Sequence, residues 1–164
     1  MIIRQLTSND SAMLESLIYA IESGMENRLW WLPINRISRN HFLDPEWCYF
    51  LGVFDKGKLV AASCLFLNEH EFKESLKSLD DVTLPVAEIG RCMVMPAYRG
   101  NNLLLTVNKE LLSVAKAIGI KTIIVTIHPD NIASKRSFLK LGAELKATTV
   151  KNSFYDRDIY TINV

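Results

Sequence analysis

Residues 95 to 105, MPAYRGNNLLL, set a tyrosine and an arginine ahead of a glycine and two asparagines, and an apolar run then begins. A strand ending at Met95, a turn containing Gly100 and a helix starting near Asn102 or Leu103 gather unpaired backbone N–H groups and the positive helix end at one point. Such a point binds phosphate, and Arg99 adds a full charge beside it. The competing reading is a polar turn that caps a helix and holds nothing. Two other phosphate loops can be set aside, because neither GxxxxGK[ST] nor GxGxxG after a first strand occurs. A nucleoside triphosphate or nicotinamide cofactor loses support accordingly.

The remaining reactive side chains are scattered. His41, His70 and His128 fall on different elements, with no group nearby in sequence to orient them as bases, so each reads as a surface or satisfied residue. Cys48, Cys64 and Cys92 lack CxxC spacing, which argues against a disulfide framework or a zinc site and for small buried hydrophobes. No metal is expected. Cys92 has no local activator that would make it a nucleophile.

The elements that must position these groups follow from periodicity. IIRQLT reads as a strand, and after a cap at Thr7 or Ser8 a helix carries Met13, Leu14, Leu17, Ile18 and Ile21 on one side and ends at Gly24. Residues 25 to 45 read as loop with a short helix near 35 to 43. WCYFLGVF and LVAASCLFL flank Asp55-Lys56-Gly57-Lys58 and form a hairpin, whose expected register pairs Cys48 with Leu65 and Cys64 with Tyr49 on opposite faces. Residues 68 to 81 place Phe72, Leu76 and Leu79 on one face of a half-exposed helix. VAEIGRCMVM is a strand, Leu103 to Ile118 a helix with Leu104, Val107, Leu111, Ala115 and Ile118 in one stripe, and KTIIVTI an apolar strand buried on both faces. A helix capped at Asp130 or Asn131 runs to Lys140, and two strands near 143 to 150 and 155 to 163 close the chain. The order predicts a single α/β domain with a mixed sheet and helices on both faces. Chemistry belongs where its parallel strands end.

AEIGRCMVMPAYRGNNLLL followed by HPDNIASKRSFLKLG resembles the GNAT superfamily of acyl-CoA-dependent N-acetyltransferases. That family has a strand of the form E-I-x-x-x-x-V-x-P-x-Y-R-G, a pyrophosphate loop with a [QR]-x-x-G-x-[GA] signature, and a later helix carrying N-x-x-[AS] and ending in K-L-G. The resemblance implies a central, mostly antiparallel sheet of about seven strands. It also implies that Arg99 opens the signature, that amides of Gly100, Asn101, Asn102, Leu103 and Leu104 wrap the coenzyme A pyrophosphate, and that the backbone of Met93, Val94 and Met95 pairs with the pantetheine arm. Asn131 and Ser134 fall at cofactor-contact positions. The small signature positions are Asn102 and Leu104 here, and asparagine tolerates the left-handed backbone a glycine would supply. Lys135, Arg136 and Lys140 read either as partners of the nucleotide phosphates or as solvated charges.

Amide formation from a thioester requires an amine that has lost its proton. The resemblance points to Glu88 as the base; partial burial on a central strand would raise its pKa toward a useful range, although a structural hydrogen bond or salt bridge would also explain it. Many relatives carry a tyrosine as acid where this chain has Phe138, which leaves that role vacant or supplied by water, Tyr98 or Tyr155. Either Trp30 or Trp31 is a candidate acceptor contact, and packing of both is the other reading. Glu69, Glu71 and Glu74 suit a cationic amine or, interleaved with Lys73 and Lys77, a solvated face.

The expectation is a cytoplasmic acetyltransferase that uses acetyl-CoA and a small-molecule or peptide amine, as monomer or homodimer. The alternatives are a non-catalytic acyl-CoA-binding or regulatory module, and a transferase of longer acyl chains. A composition of 49% hydrophobic and 23% charged residues with net charge +1 fits a globular domain with no basic field for nucleic acid. No apolar run approaches the roughly 20 residues of a membrane span.

Overall fold

In the computed structural model, which describes Met1–Val164, the strands β1 (Ile2–Gln5), β2 (Cys48–Asp55), β3 (Lys58–Phe66), β4 (Val86–Val94), β5 (Thr122–Ile127), β6 (Glu144–Lys151) and β7 (Tyr155–Asn163) share one sheet. Their spatial order is β1-β2-β3-β4-β5-β7-β6, and every neighbouring pair is antiparallel except β4 with β5. The helices are α1 (Ser11–Ser23), α2 (Arg36–Asn40), α3 (Lys73–Leu76), α4 (Leu103–Ala117) and α5 (Ile132–Leu139). The expected seven-stranded, mostly antiparallel arrangement with helices on both faces is the observed one. No helix is long and apolar enough to cross a membrane.

Alternation along the strands divides the apolar side chains between two faces. On one, Cys48, Phe50 and Phe54 of β2 join Leu14, Leu17, Ile18 and Ile21 of α1; on the other, Leu51 and Val53 join Val107, Leu111 and Ala115 of α4 and Phe138 of α5. Each of the Val, Leu, Ile and Phe side chains among them contributes about 1.5–3 kcal/mol when fully buried, so the sheet is clamped from both sides. Burial along β5 agrees: Ile124 enters the first cluster, and Ile123, Val125 and Ile127 enter the second.

Before α1, the Asp10 carboxylate gathers the Thr7 N–H at 2.8 Å and the Arg4 guanidinium at 2.7 and 2.8 Å. Asp10 is 3% exposed, and the Arg4 hydrogen bonds hold its carboxyl well below the usual range. Removing it takes from the Thr7 N–H and the ordered arginine the acceptor they share. Asp10→Ala should therefore cost about 2 kcal/mol in denaturant unfolding at neutral pH. The difference from the parent should shrink in strong acid, because a carboxylate with a depressed pKa stabilises only above its unfolded value and loses that effect as pH falls through the folded one.

The structure corrects the register of the β2–β3 hairpin. The turn is the tight one expected, with Lys56 and Gly57 both left-handed at φ 48° and 79°. A bulge beside Val53 and Phe54 then shifts the pairing by one residue, so Cys48 lies opposite Phe66 and Cys64 opposite Phe50. Both cysteines consequently face the same core. Burial, reinforced by Cys48, pushes the Cys64 thiol up, consistent with packing rather than reactivity.

A second correction concerns residues 68 to 81. In place of one helix, Asn68 Oδ1 accepts from His70 N at 3.0 Å to start a 3-10 turn over Glu69–Glu71, and α3 then lasts only from Lys73 to Leu76. Ser75, Ser78, Asp80 and Asp81 favour local turns over continued helix. Phe72, Leu76 and Leu79 still reach one core. The α4 stripe is also altered, since Ile118 is 53% exposed and Asn108 is fully buried.

Candidate acyl-transfer site

The site begins with a defect in β4. Ala62 pairs with Met93 and Cys64 with Gly90, so Arg91 and Cys92 together oppose Ser63, with Arg91 left-handed at φ 50°. Such a bulge bends the strand and increases its twist. On its other side β4 pairs with β5 only from Val86↔Thr122 to Glu88↔Ile124. Beyond Glu88 the two parallel strands part. Met95 N–H bonds Val60 O at 2.9 Å, so alternation turns the Val94 N–H and C=O away from β3 and toward the opening.

At the end of β4, a 3-10 turn over Pro96–Tyr98 leads to Gly100 at φ 81° and Asn102 at φ 54°, ψ 23°, both left-handed. Asn102 holds the conformation a glycine would otherwise supply. Its carbonyl accepts the first helical bond, from Thr106 N at 3.1 Å, which leaves the amides of Leu103, Leu104 and Leu105 free at the start of α4. Asn101 Nδ2 braces the turn by donating to Tyr98 O at 3.1 Å. This loop edges a cleft of about 520 Å³ lined also by Val94, Arg99, Arg136 and Lys140.

A smaller pocket of about 150 Å³ lies on the other side of the opening, around Glu88. Trp30, Trp31, Cys92, Asn131 and Ser134 line both cavities and form their junction. Glu88 is 7% exposed; Thr126 Oγ1 approaches its Oε1 at 3.5 Å, and Oε2 is buried without a partner. Burial pushes the Glu88 carboxyl up; Lys151 and Arg91 pull it down, and Glu71 adds to the rise. The result is a carboxyl free of any salt bridge, facing a cavity, with a pKa moved toward neutrality.

The proposed site residues therefore do converge. Asn131 Oδ1 caps α5 by accepting from Ser134 N at 3.2 Å. Phe138 is buried and lines the smaller pocket, so an apolar ring occupies the place of the missing hydroxyl. Tyr98 borders the larger cleft, but its hydroxyl donates to Asp55 at 3.0 Å; Tyr155 lines neither cavity. Trp31 Nε1 donates to Glu22 at 3.0 Å, fixing the indole while its neighbour Trp30 remains 39% exposed. Of the basic residues on α5, Lys135 is committed to Asp158 at 2.6 Å, whereas Arg136 and Lys140 face the cleft. Of Glu69, Glu71 and Glu74, only Glu71 enters the small pocket, while Glu74 pairs with Lys77.

Several site residues carried no sequence signal. His128 lines the small pocket, and its Nδ1 accepts from Asp130 N at 3.1 Å, so it is satisfied yet not at the surface. Arg91 and Arg157 enter the pocket through the bulge and through β7, which is an interior strand only because β6 lies outside it. Cys92 meets Ser63 Oγ at 3.2 Å, and Ser63 donates to Asn108 Oδ1 at 2.7 Å. Burial pushes the Cys92 thiol up, which keeps it protonated and unsuited to attack. Asn108→Ala should cost about 1–3 kcal/mol in unfolding free energy, since it leaves the buried Ser63 hydroxyl short of its acceptor. No three His, Cys, Asp or Glu side chains form a metal-binding group.

Residues 11–143 match the model of the acetyltransferase (GNAT) family. Among solved structures, the N-acetyltransferase from Staphylococcus aureus Mu50 is 14% identical, with 99% of this chain and 97% of that chain covered at a TM-score of 0.73. The yncA protein of Salmonella typhimurium, solved with its cofactor acetyl-CoA, is 17% identical, with 99% and 93% covered and a TM-score of 0.74. A ribosomal-protein-alanine N-acetyltransferase from Brucella melitensis is 18% identical over 100% of both chains, with a TM-score of 0.72. At these identities the likeness is one of fold. No curated protein sequence matches.

Proposed function

The chain belongs to the acetyltransferase (GNAT) family, and we propose that it is an N-acetyltransferase that moves acetyl from acetyl-CoA to a primary amine by direct attack in a ternary complex. The observation that carries this reading is the meeting of two cavities where β4 leaves β5, one bordered by free amides and the other by the buried Glu88. The Salmonella typhimurium structure with acetyl-CoA supports the choice of cosubstrate.

Amides from Gly100 to Leu104, with Arg99 beside them, hold the pyrophosphate at the positive end of α4. The free edge of β4 at Met93, Val94 and Met95 takes the pantetheine arm as an added strand. Asn131 and Ser134 flank the junction, and Phe138 lines the smaller pocket beside it. When bound, acetyl-CoA supplies an acetyl group activated as a thioester.

Glu88 accepts a proton from the ammonium form of the acceptor, directly or through one water. The freed nitrogen pair forms the N–C bond to the acetyl carbon as the C–S bond breaks, and the second proton that the nitrogen sheds to become an amide passes to the departing thiolate or to water. The main-chain N–H of Val94, which alternation turns toward the opening while Met95 N–H is held by Val60 O, polarises the carbonyl oxygen. With Phe138 in place of a hydroxyl, the sulfur leaves as thiolate. A free thiol ionises near ~8.5, so no side-chain acid is required.

The test is release of coenzyme A thiol from acetyl-CoA across a panel of amines, with the acetylated amine identified by mass. One thiol per acetylated amine supports the reading. Cofactor binding with no thiol release under any acceptor would favour a non-catalytic module, and preference for a longer acyl-CoA would reassign the donor.

A further inference from the structure

The smaller pocket contains cations that proton transfer leaves unused. Arg157 is 2% exposed, and its Nη1 donates to Asp156 O at 2.6 Å while the buried Nη2 has no partner. Neither Arg157 nor Arg91 forms a salt bridge, and the neighbouring Asp158 is committed to Lys135. Arg91 Nη1 donates to Leu32 O at 2.5 Å, and its guanidinium lies 4.9 Å over the Trp31 ring. Lys151 lines the same cavity. Burial and the repelling charge of Arg91 both push the Arg157 guanidinium down from its ordinary value.

A buried guanidinium with a free N–H is costly unless something pairs with it. A simple alkylamine would answer Glu88 and leave Arg157 unanswered. A molecule with an ammonium at one end and an anion at the other answers both. The cavity of about 150 Å³ favours a compact, planar carboxylate, which a guanidinium recognises well. Glu71, whose Oε1 accepts from Trp47 Nε1 at 3.0 Å, lines the same pocket and forms no salt bridge with Arg157.

We infer that the acceptor is a small zwitterion of the α-amino acid class, with its ammonium at Glu88 and its carboxylate on Arg157 Nη2. This rests on the acetyl-transfer reading, but its binding step can be tested apart from it. Trp30 and Trp31 line the pocket, so their fluorescence reports occupancy. The common L-α-amino acids, their carboxamides and their decarboxylated amines would be titrated with and without coenzyme A.

At least one amino acid is expected to bind about 30-fold or more tightly than its decarboxylated amine. Arg157→Gln should erase that difference, and Arg157→Lys should restore part of it, with circular dichroism checking the fold of both. Glu88→Gln, acting at the other end, should retain the preference for the carboxylate. The inference is overturned if no amino acid binds, if the amine binds equally well, or if discrimination survives Arg157→Gln. Acetylation of amines without carboxylate preference would remove the zwitterion and leave acetyl transfer standing. Carboxylate-selective binding by a chain that ignores acetyl-CoA would do the reverse.

Discussion

Glu88→Gln is expected to lower kcat/KM for amine acetylation by about 10²- to 10⁴-fold, with acetyl-CoA affinity unchanged because the phosphate loop lies in the other cavity. Glutamine keeps the shape and cannot take the proton. The pH profile gives the assignment a second signature. Glu88 has its pKa raised above the ordinary 4.5, chiefly by burial, and works as a base only when ionised. Wild-type kcat/KM should rise with pH through that elevated value; the variant should lose this step and keep only the rise due to the amine itself.

Stability should move in the opposite direction. Between the ordinary carboxyl pKa and the raised one, the folded chain holds a proton that the unfolded chain has released, so wild-type stability declines as pH rises through the window. Above it the buried carboxylate remains a burden. Glu88→Gln should therefore have a higher Tm than the parent at neutral pH, with the difference closing in acid. Loss of activity with a gain in stability is the pattern of a functional carboxylate; a structural one would lose both.

The second large effect is expected in the phosphate loop. Asn102 sits at φ 54°, and a β-branched side chain there meets the left-handed penalty of roughly 1–2 kcal/mol. Asn102→Val should raise KM for acetyl-CoA about tenfold while changing kcat little, since the loop holds phosphate in ground and transition states alike. Asn102→Gly should bind at least as well as the parent. Equal affinity in all three proteins would mean that the backbone conformation at Asn102 does not shape the binding loop.

Much of this arrangement was legible along the chain. Apolar periodicity located α1, α4 and β5, and the glycine and asparagines after Met95 marked the loop, because these features depend on residues close together in sequence. The hairpin register was not legible: the bulge beside Val53 and Phe54 is a compromise between strand twist and packing that leaves no local signature. Residues 68 to 81 kept their apolar face but not their helix, because side-chain caps and the pull of the core on Phe72 outweighed periodicity.

The candidate site divides in the same way. Glu88, the loop and Asn131 were visible through a motif, whereas Arg91, His128 and Arg157 depend on a bulge and on strand order. Asp156-Arg157-Asp158 reads locally as a solvated charge run. Only the placement of β7 between β5 and β6 turns Arg157 inward.

The central claim is that the opening between β4 and β5 binds acetyl-CoA through the loop ahead of α4. Titration of isotope-labelled protein with acetyl-CoA, followed by backbone amide NMR, tests it most directly. Saturable shifts at Val94 and from Gly100 to Leu104, with much smaller ones on β1 and β6, are the predicted result. No saturable change, or a binding surface elsewhere on the sheet, would contradict it.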